Sequence, residues 1–216
     1  MRSSAASDVY KRQLKEKYKL GDEFLYGAIL PDILHKAIPA QRREMTHYLR
    51  HGILYGSEGD YPDIERFIIE NTEILPKSQM MQGYLAHLIE DMLWFSIYIP
   101  RMTIEKDKKT IIYKKDNSVH TDDEFRNDIY SDYTIMDRYL LKKTDLNIEK
   151  LQKEFLAISD DINLKSTIKE NFKLFDLRNE HLILISLDML EEYISASLEK
   201  VSLVLDKIYR LSLIHI

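Results

Sequence analysis

Cysteine is absent from the 216 residues, so a disulfide framework and any thiolate metal site are excluded. A metal bound by this chain must be held by His, Asp and Glu. Turn-forming residues are scarce, with only six glycines and five prolines. Such sparse punctuation favours long helices over many short strands. No apolar run reaches the ~18–20 residues that a membrane-crossing helix needs. Glu90-Asp91 interrupts one candidate, and Asp188 with Glu191-Glu192 interrupts another. Neither sign of charge dominates: the net charge is -5 with both signs interspersed, unlike the concentrated basic face of a nucleic-acid binder. The densest basic spots, Lys106-Asp-Lys-Lys109 and Lys114-Lys115, read as a solvated loop or hairpin. The basic, apolar and small-residue layout of a signal peptide is missing, which leaves the cytoplasm as the default address.

What remains is the composition of an ordinary globular protein, 44% hydrophobic and 31% charged, and long enough for one domain with a real core. The two ends stand apart. Residues 1–13 (Ser3-Ser-Ala-Ala-Ser-Asp-Val-Tyr-Lys-Arg-Gln13 for most of their length) and 211–216 (Leu211-Ser-Leu-Ile-His-Ile216) resemble translated sequencing-adaptor read-through. They are set aside from functional reasoning, His215 with them, and a native N-terminal segment before Leu14 is left open. The expected organisation is a single helical domain over 14–210.

Along the chain, Leu14–Leu20 reads as the end of a helix stopped by Gly21. Asp22 caps a segment, 24–30, that halts at Pro31. Pro39 restarts a helix to about Leu54. Asp60 and Pro62 open the next, with Ile64, Phe67, Ile68 and Ile74 as its apolar positions. Pro76 opens the longest informative helix, about 77–99, ended by Pro100; Met80, Met81, Tyr84, Leu85, Leu88, Met92, Phe95 and Ile99 recur along it at three- and four-residue steps. Two β-prone runs around a charged turn predict a small peripheral hairpin at 103–114. Further helices are expected at about 122–143, 147–158, 163–175 and 179–209. The fold class is all-α, a multi-helix bundle carrying that hairpin.

His87 and Asp91, four apart on the long helix, share one face one turn apart, the convergence a metal needs of two donors. Two other readings fit the same spacing: a core histidine bonded to Asp91 without metal, or a surface carboxylate beside Glu90. Asp32 is a lone charge in the apolar, turn-forming stretch Gly27-Ala-Ile-Leu-Pro-Asp-Ile33, and a buried carboxylate is costly unless paired or coordinating. It also reads as a helix N-cap just past Pro31. His47 and His51 share a face of the 39–54 segment, whose other face carries Arg42, Arg43 and Arg50. That pair suits a metal, or a surface histidine on an amphipathic helix.

The order Gly27-x-x-x-Pro31-Asp32, Thr46-His47, Gly83-Tyr84-x-x-His87-x-x-x-Asp91 resembles the zinc-dependent phospholipase C family and its bacterial relatives over about residues 20–100. The resemblance implies one zinc held by Asp32, His47, His87 and Asp91. Full members of that family use three zincs and draw ligands from the mature N-terminus, a nearby His, and two further His and a Glu downstream. Here His120 and His181 are the downstream histidines and neither has matching context, so one site is expected, or two if a lost N-terminus supplied ligands. The contiguous His-Asp pair of HD-type phosphohydrolases does not occur.

A His/carboxylate zinc with an open position implies a phosphoric ester hydrolase acting on a small-molecule or lipid phosphate ester, with Asp32 also orienting or deprotonating water. Arg50 and Arg101 are candidates to neutralise phosphate. Tyr84, Trp94 and Tyr98 line a pocket or simply form core. Tyr130, Asp132, Tyr133 and Asp137 read as a solvated helix face, with Asp132 the one that could reach the site. The alternative is a non-catalytic helical protein with a structural metal or a hydrogen-bonded His–Asp core.

Overall fold

A computed structural model of the chain describes residues 5–38, 40, 42–49, 61–107, 109–144, 148–157, 160–172 and 181–214. Among these the chain is mainly helical, with one small antiparallel sheet, as the sequence predicts. The helices are α1 (Ala5–Tyr18), α2 (Asp22–Ala37), α3 (Arg43–Thr46), α4 (Ile64–Glu70), α5 (Gln79–Leu93), α6 (Ile99–Met102), α7 (Asp122–Thr144), α8 (Ile148–Ala157), α9 (Ile162–Phe172) and α10 (Leu187–Ile214). No helix among the described residues is long and apolar enough to cross a membrane.

The starts of these helices are written in side chains. Ser78 Oγ accepts from the Met81 amide at the head of α5, and Asp63 Oδ1 accepts from the Arg66 amide at the head of α4. At α7, Thr121 Oγ1 accepts from the Glu124 amide while Glu124 Oε2 accepts from the Thr121 amide, a reciprocal capping box.

The central pair is α2 on α5, and it is set by two glycines. A Cβ on Gly27 would lie 1.8 Å from the Met80 carbonyl oxygen, and one on Gly83 would lie 1.9 Å from the Phe24 carbonyl oxygen. Only glycine permits backbones to approach this closely. Around the pair, α1 packs on α7 and α10, α10 also on α5, and α9 on α2 and α8. Phe24, Leu85, Leu88, Ile89, Leu190, Val201 and Leu205 fill the core between them.

Several expected boundaries move. Pro31 does not stop α2; the helix runs on to Ala37, because the close packing on α5 outweighs the single backbone bond that proline forfeits. Of the helix expected from 39 to 54, the described residues are helical only over the one turn of α3. Tyr48 takes a left-handed φ of 52°, its carbonyl accepts from the Asp63 amide, and Leu49 pairs with Pro62. Tyr48 packs edge-on against Phe67 at 4.9 Å, a tertiary contact that overrides helical continuation. Residues 50–60, His51 and Arg50 among them, lie outside the described residues.

Pro100 does not end the long helical path either. After α5 the chain widens into a π-helical stretch, Trp94–Tyr98, and continues as α6 with Pro100 in its first turn, where no amide donor is required. The hairpin is present as β1 (Thr103–Asp107) and β2 (Thr110–Tyr113), with Thr103 opposite Tyr113. A third strand, β3 (Val119–Thr121), pairs with β2.

The last helix begins at Leu187 rather than near 179. The Asp132 carboxylate accepts from the amides of Ile183, Leu184 and Ile185 at 2.6–2.8 Å, and so holds that stretch out of helical conformation. Asp132 is therefore buried structure, neither a solvated group nor part of the site. Its neighbours on α7, Tyr133 and Asp137, are buried as well, and Trp94 Nε1 donates to the Tyr133 hydroxyl at 2.7 Å.

Candidate metal centre

Three elements deliver the site. The glycine crossing presses α2 onto α5, which sets Asp32 and Ala28 against His87 and Asp91. The third element is α3. The Tyr84 hydroxyl on α5 donates to the Thr46 carbonyl, which tethers α3 and leaves His47, the residue just after it, facing the other two.

The result is a buried cluster. One donor atom from each of Asp32, His47 and His87 lies within 4.8 Å of the others, an arrangement that can hold a metal ion. His47 Nε2 stands 3.1 Å from Asp32 Oδ1 and 3.7 Å from Asp91 Oδ2, and His87 Nε2 stands 3.7 Å from Asp91 Oδ2. Adjacent ligands of a tetrahedral zinc, each at 2.0–2.2 Å, lie about 3.3–3.6 Å apart, so these three separations fall near its edges. Asp32, His47 and His87 thus come together, and Asp91, outside that group, lies beside the two histidines. The side chains are 1% (Asp32), 0% (His47), 4% (His87) and 9% (Asp91) exposed.

The hydrogen bonds behind the rings orient them. His87 Nδ1 donates to the Ala28 carbonyl at 2.9 Å; a carbonyl only accepts, so the proton of the neutral ring sits on Nδ1. Its Nε2 then presents a lone pair, buried and without a hydrogen-bond partner among the described residues. Asp32 Oδ2 and Asp91 Oδ2 are likewise buried without one. The Thr46 hydroxyl lies 3.3 Å from the Arg43 carbonyl and 2.9 Å from His47 Nδ1, and His47 Nε2 is hydrogen-bonded to Asp32 Oδ1 at 3.1 Å. A buried lone pair that faces a carboxylate oxygen is repelled unless a proton or a cation lies between them.

The electrostatics agree. Burial pushes His47 down to about 4 and holds His87 well below the usual histidine range, so both rings are neutral near pH 7. Burial, reinforced by the nearby Asp32 charge and opposed by Arg43, pushes Asp91 up to about 7. Burial alone would raise Asp32 as well, but the hydrogen bond to His47 and the charges around it hold it well below the usual carboxylate range.

Three neighbours escaped the reading of the sequence. Arg43 places Nη1 3.7 Å from Asp32 Oδ1 and Nη2 3.6 Å from Asp91 Oδ2. His35 lies three residues after Asp32 on α2, its ring centroid 5.6 Å from that of His47. Reading α2 through Pro31 would have put it on the Asp32 face. Lys11, from the stretch set aside as adaptor-like, is fully buried on α1; its Nζ donates to the Ala28 carbonyl and lies 3.5 Å from Glu90 Oε2.

Other candidates lie elsewhere. His120 is on β3, stacked on Tyr113 with ring centroids 3.7 Å apart, and His181 is exposed. Arg101 pairs with Glu192 at 2.6 Å on the surface. Tyr84, Trp94 and Tyr98 are core residues. His215 lies outside the described residues. The chain matches no family model, no curated protein and no solved structure.

Proposed function

We propose that the chain is a zinc-dependent phosphoric ester hydrolase of the phospholipase C type, with one zinc held by Asp32, His47, His87 and Asp91. The observation that carries the metal is the orphaned Nε2 of His87: its tautomer is set by the Ala28 carbonyl, and its lone pair is aimed at carboxylate oxygens. The all-N/O donor set suits zinc. The order of the ligand motifs supports the phosphoesterase class.

When bound, zinc supplies a nucleophile at neutral pH by lowering the pKa of water, and polarises a phosphoryl oxygen. The chain's own residues do the rest. Asp32 has two oxygens, one hydrogen-bonded to His47 and the other, Oδ2, without a hydrogen-bond partner among the described residues. Oδ2 takes the proton from water as its oxygen bonds to phosphorus. The phosphorus–oxygen bond to the leaving group then breaks, and that oxygen leaves with the proton that Asp32 took up, which restores the carboxylate. The Ala28 carbonyl holds the His87 ring and Thr46 the His47 ring, so neither reorients during the step.

A second reading rests on burial. Four donors this sealed from solvent suit closed, structural coordination in a protein without catalytic activity. One experiment separates the two: zinc content and hydrolysis of bis(4-nitrophenyl) phosphate, measured on the full chain and on His87→Ala. Zinc-dependent hydrolysis lost in the variant supports the enzyme. Stoichiometric zinc without hydrolysis supports the structural site. Zinc content unchanged by His87→Ala sinks both.

A further inference from the structure

Beside the buried cluster stands one more imidazole, and it has access to solvent. His35 is half-buried, where the four donor side chains are at most 9% exposed. It lies three residues after Asp32 on α2, on the same helix face. Its ring meets that of His47 edge-on with centroids 5.6 Å apart, and His47 in turn meets His87 edge-on at 5.4 Å. Three imidazoles thus run in a row from a half-buried position to the core.

The outer ring is presented as a ligand. His35 Nδ1 donates to the Pro31 carbonyl at 3.1 Å; a carbonyl only accepts, so the proton of the neutral ring sits on Nδ1 and Nε2 carries the lone pair. Nε2 has no hydrogen-bond partner among the described residues. The spacing suits a handover. With zinc–nitrogen bonds of about 2.0–2.1 Å, and about 1.1 Å from nitrogen to ring centre, two imidazoles on one tetrahedral zinc have centroids about 5 Å apart. Both steps of the row come close to that span. Yet His35 lies outside the group whose donor atoms are within 4.8 Å of one another and, unlike Asp91, forms no ion pair with its members.

A cation cannot shed all its water before it enters a sealed site of low dielectric, because an ion without ligands is strongly destabilised there. Each new donor must be within reach before an old one leaves. Asp32 Oδ2, buried without a hydrogen-bond partner among the described residues, is the next acceptor along α2. The charges favour the move inward. In the ion pairs around the cluster three carboxylates, Asp32, Asp91 and Glu90, outnumber two cations, Arg43 and Lys11.

We infer that His35 is the entry ligand of the metal centre: it takes zinc from water through Nε2, passes it to Asp32 and His47, and does not hold the resting ion. The inference rests on the metal reading above. A donor absent from the final state lowers the barrier in both directions, so His35 sets the rates of uptake and release and not the affinity.

The test uses the full chain in wild-type, His35→Gln and His35→Ala forms, at about pH 7.5, where imidazole is mostly neutral. Zinc content and affinity are measured first, at equilibrium. Zinc uptake, and release to excess chelator, are then followed with a chromogenic indicator. The expected result is one zinc per chain with unchanged affinity in all three. Uptake and release should slow by a common factor of about ten or more in both variants, as when one donor is missing from a transition state. Free imidazole should restore the rates of His35→Ala at a concentration that leaves the wild-type rates unchanged. Exchange at the wild-type rate in His35→Gln would overturn the inference. Lower zinc content or affinity in either variant would overturn it too, since His35 would then be a resident ligand. Slowed exchange that imidazole does not restore would assign the effect to packing, with the same consequence. Wild-type protein that takes up no zinc would instead refute the metal reading, and that result is read before any rate is measured.

Discussion

Replacing Gly83 by alanine tests whether the helix crossing builds the site. The added Cβ would fall 1.9 Å from the Phe24 carbonyl oxygen and 2.9 Å from the Ala28 nitrogen, both backbone atoms of α2. A real Cβ keeps at least 3.0 Å from such atoms. The two backbones must therefore part by about 1 Å, since a packed interior cannot absorb the overlap. Overpacking of this kind destabilises by about 3 kcal/mol. The consequence at the site is sharper. His87 is one turn beyond Gly83, and its Nδ1 reaches Ala28 across the same crossing. A shift of about 1 Å exceeds the ~0.5 Å tolerance of a preorganised site. Zinc affinity is expected to fall by at least about tenfold. Urea unfolding of the metal-free protein gives the first quantity, and competition with a chromogenic chelator gives the second. An alanine variant within 0.5 kcal/mol of wild type, with unchanged zinc affinity, would refute the reasoning.

Three further outcomes follow from the same structure. Acidification should destabilise the metal-free protein. The unfolded chain protonates His47 near 6.5 and the folded one only near about 4, so roughly 3 kcal/mol present above pH 6.5 is lost as pH falls toward 4. His87 acts in the same sense; Asp91, raised from 3.8 to about 7, acts oppositely, its contribution being lost as pH rises, and offsets part of the slope. A urea midpoint that rises between pH 7 and 4.5 would contradict neutral, buried histidines. Lys11→Met should destabilise by about 3–5 kcal/mol, because Glu90 is left charged and buried; adding Glu90→Leu should recover much of the loss, and a double variant as unstable as the single one would argue against the pair. Asp132→Ala should cost about 3 kcal/mol and expose the amides of Ile183, Leu184 and Ile185 to rapid hydrogen exchange, with protection unchanged if the carboxylate does not hold them.

The sequence carried the helices that end in chemical signals. Asp122 and Asp123 opened α7, and the charged turn between two β-prone runs placed the hairpin. His87 and Asp91 were legible because helical spacing alone puts them on one face. Asp32 and His47 were legible as lone polar groups with a family order, although not as neighbours. What sequence reading missed was set by tertiary contacts. Pro31 reads locally as a stop, and only the packing on α5 keeps α2 going; with that turn went His35. Arg43 looked like one member of a basic helix face, because nothing local reveals that α3 is a single turn tied down by Tyr84 and Tyr48. Lys11 was discounted by its resemblance to foreign sequence, yet it is buried and donates to the same Ala28 carbonyl as His87. The three amides gripped by Asp132 carry no sequence signal at all, since the carboxylate comes from some fifty residues away.

The central claim is that the four donors hold a metal, and the most direct measurement is zinc stoichiometry with coordination read by X-ray absorption at the zinc edge. The account predicts one zinc per chain, bound by nitrogen and oxygen at about 2.0–2.2 Å with no sulfur, and lost on His87→Ala. Purified protein that binds no zinc, or a His87→Ala variant that keeps the same zinc in the same coordination, would contradict it.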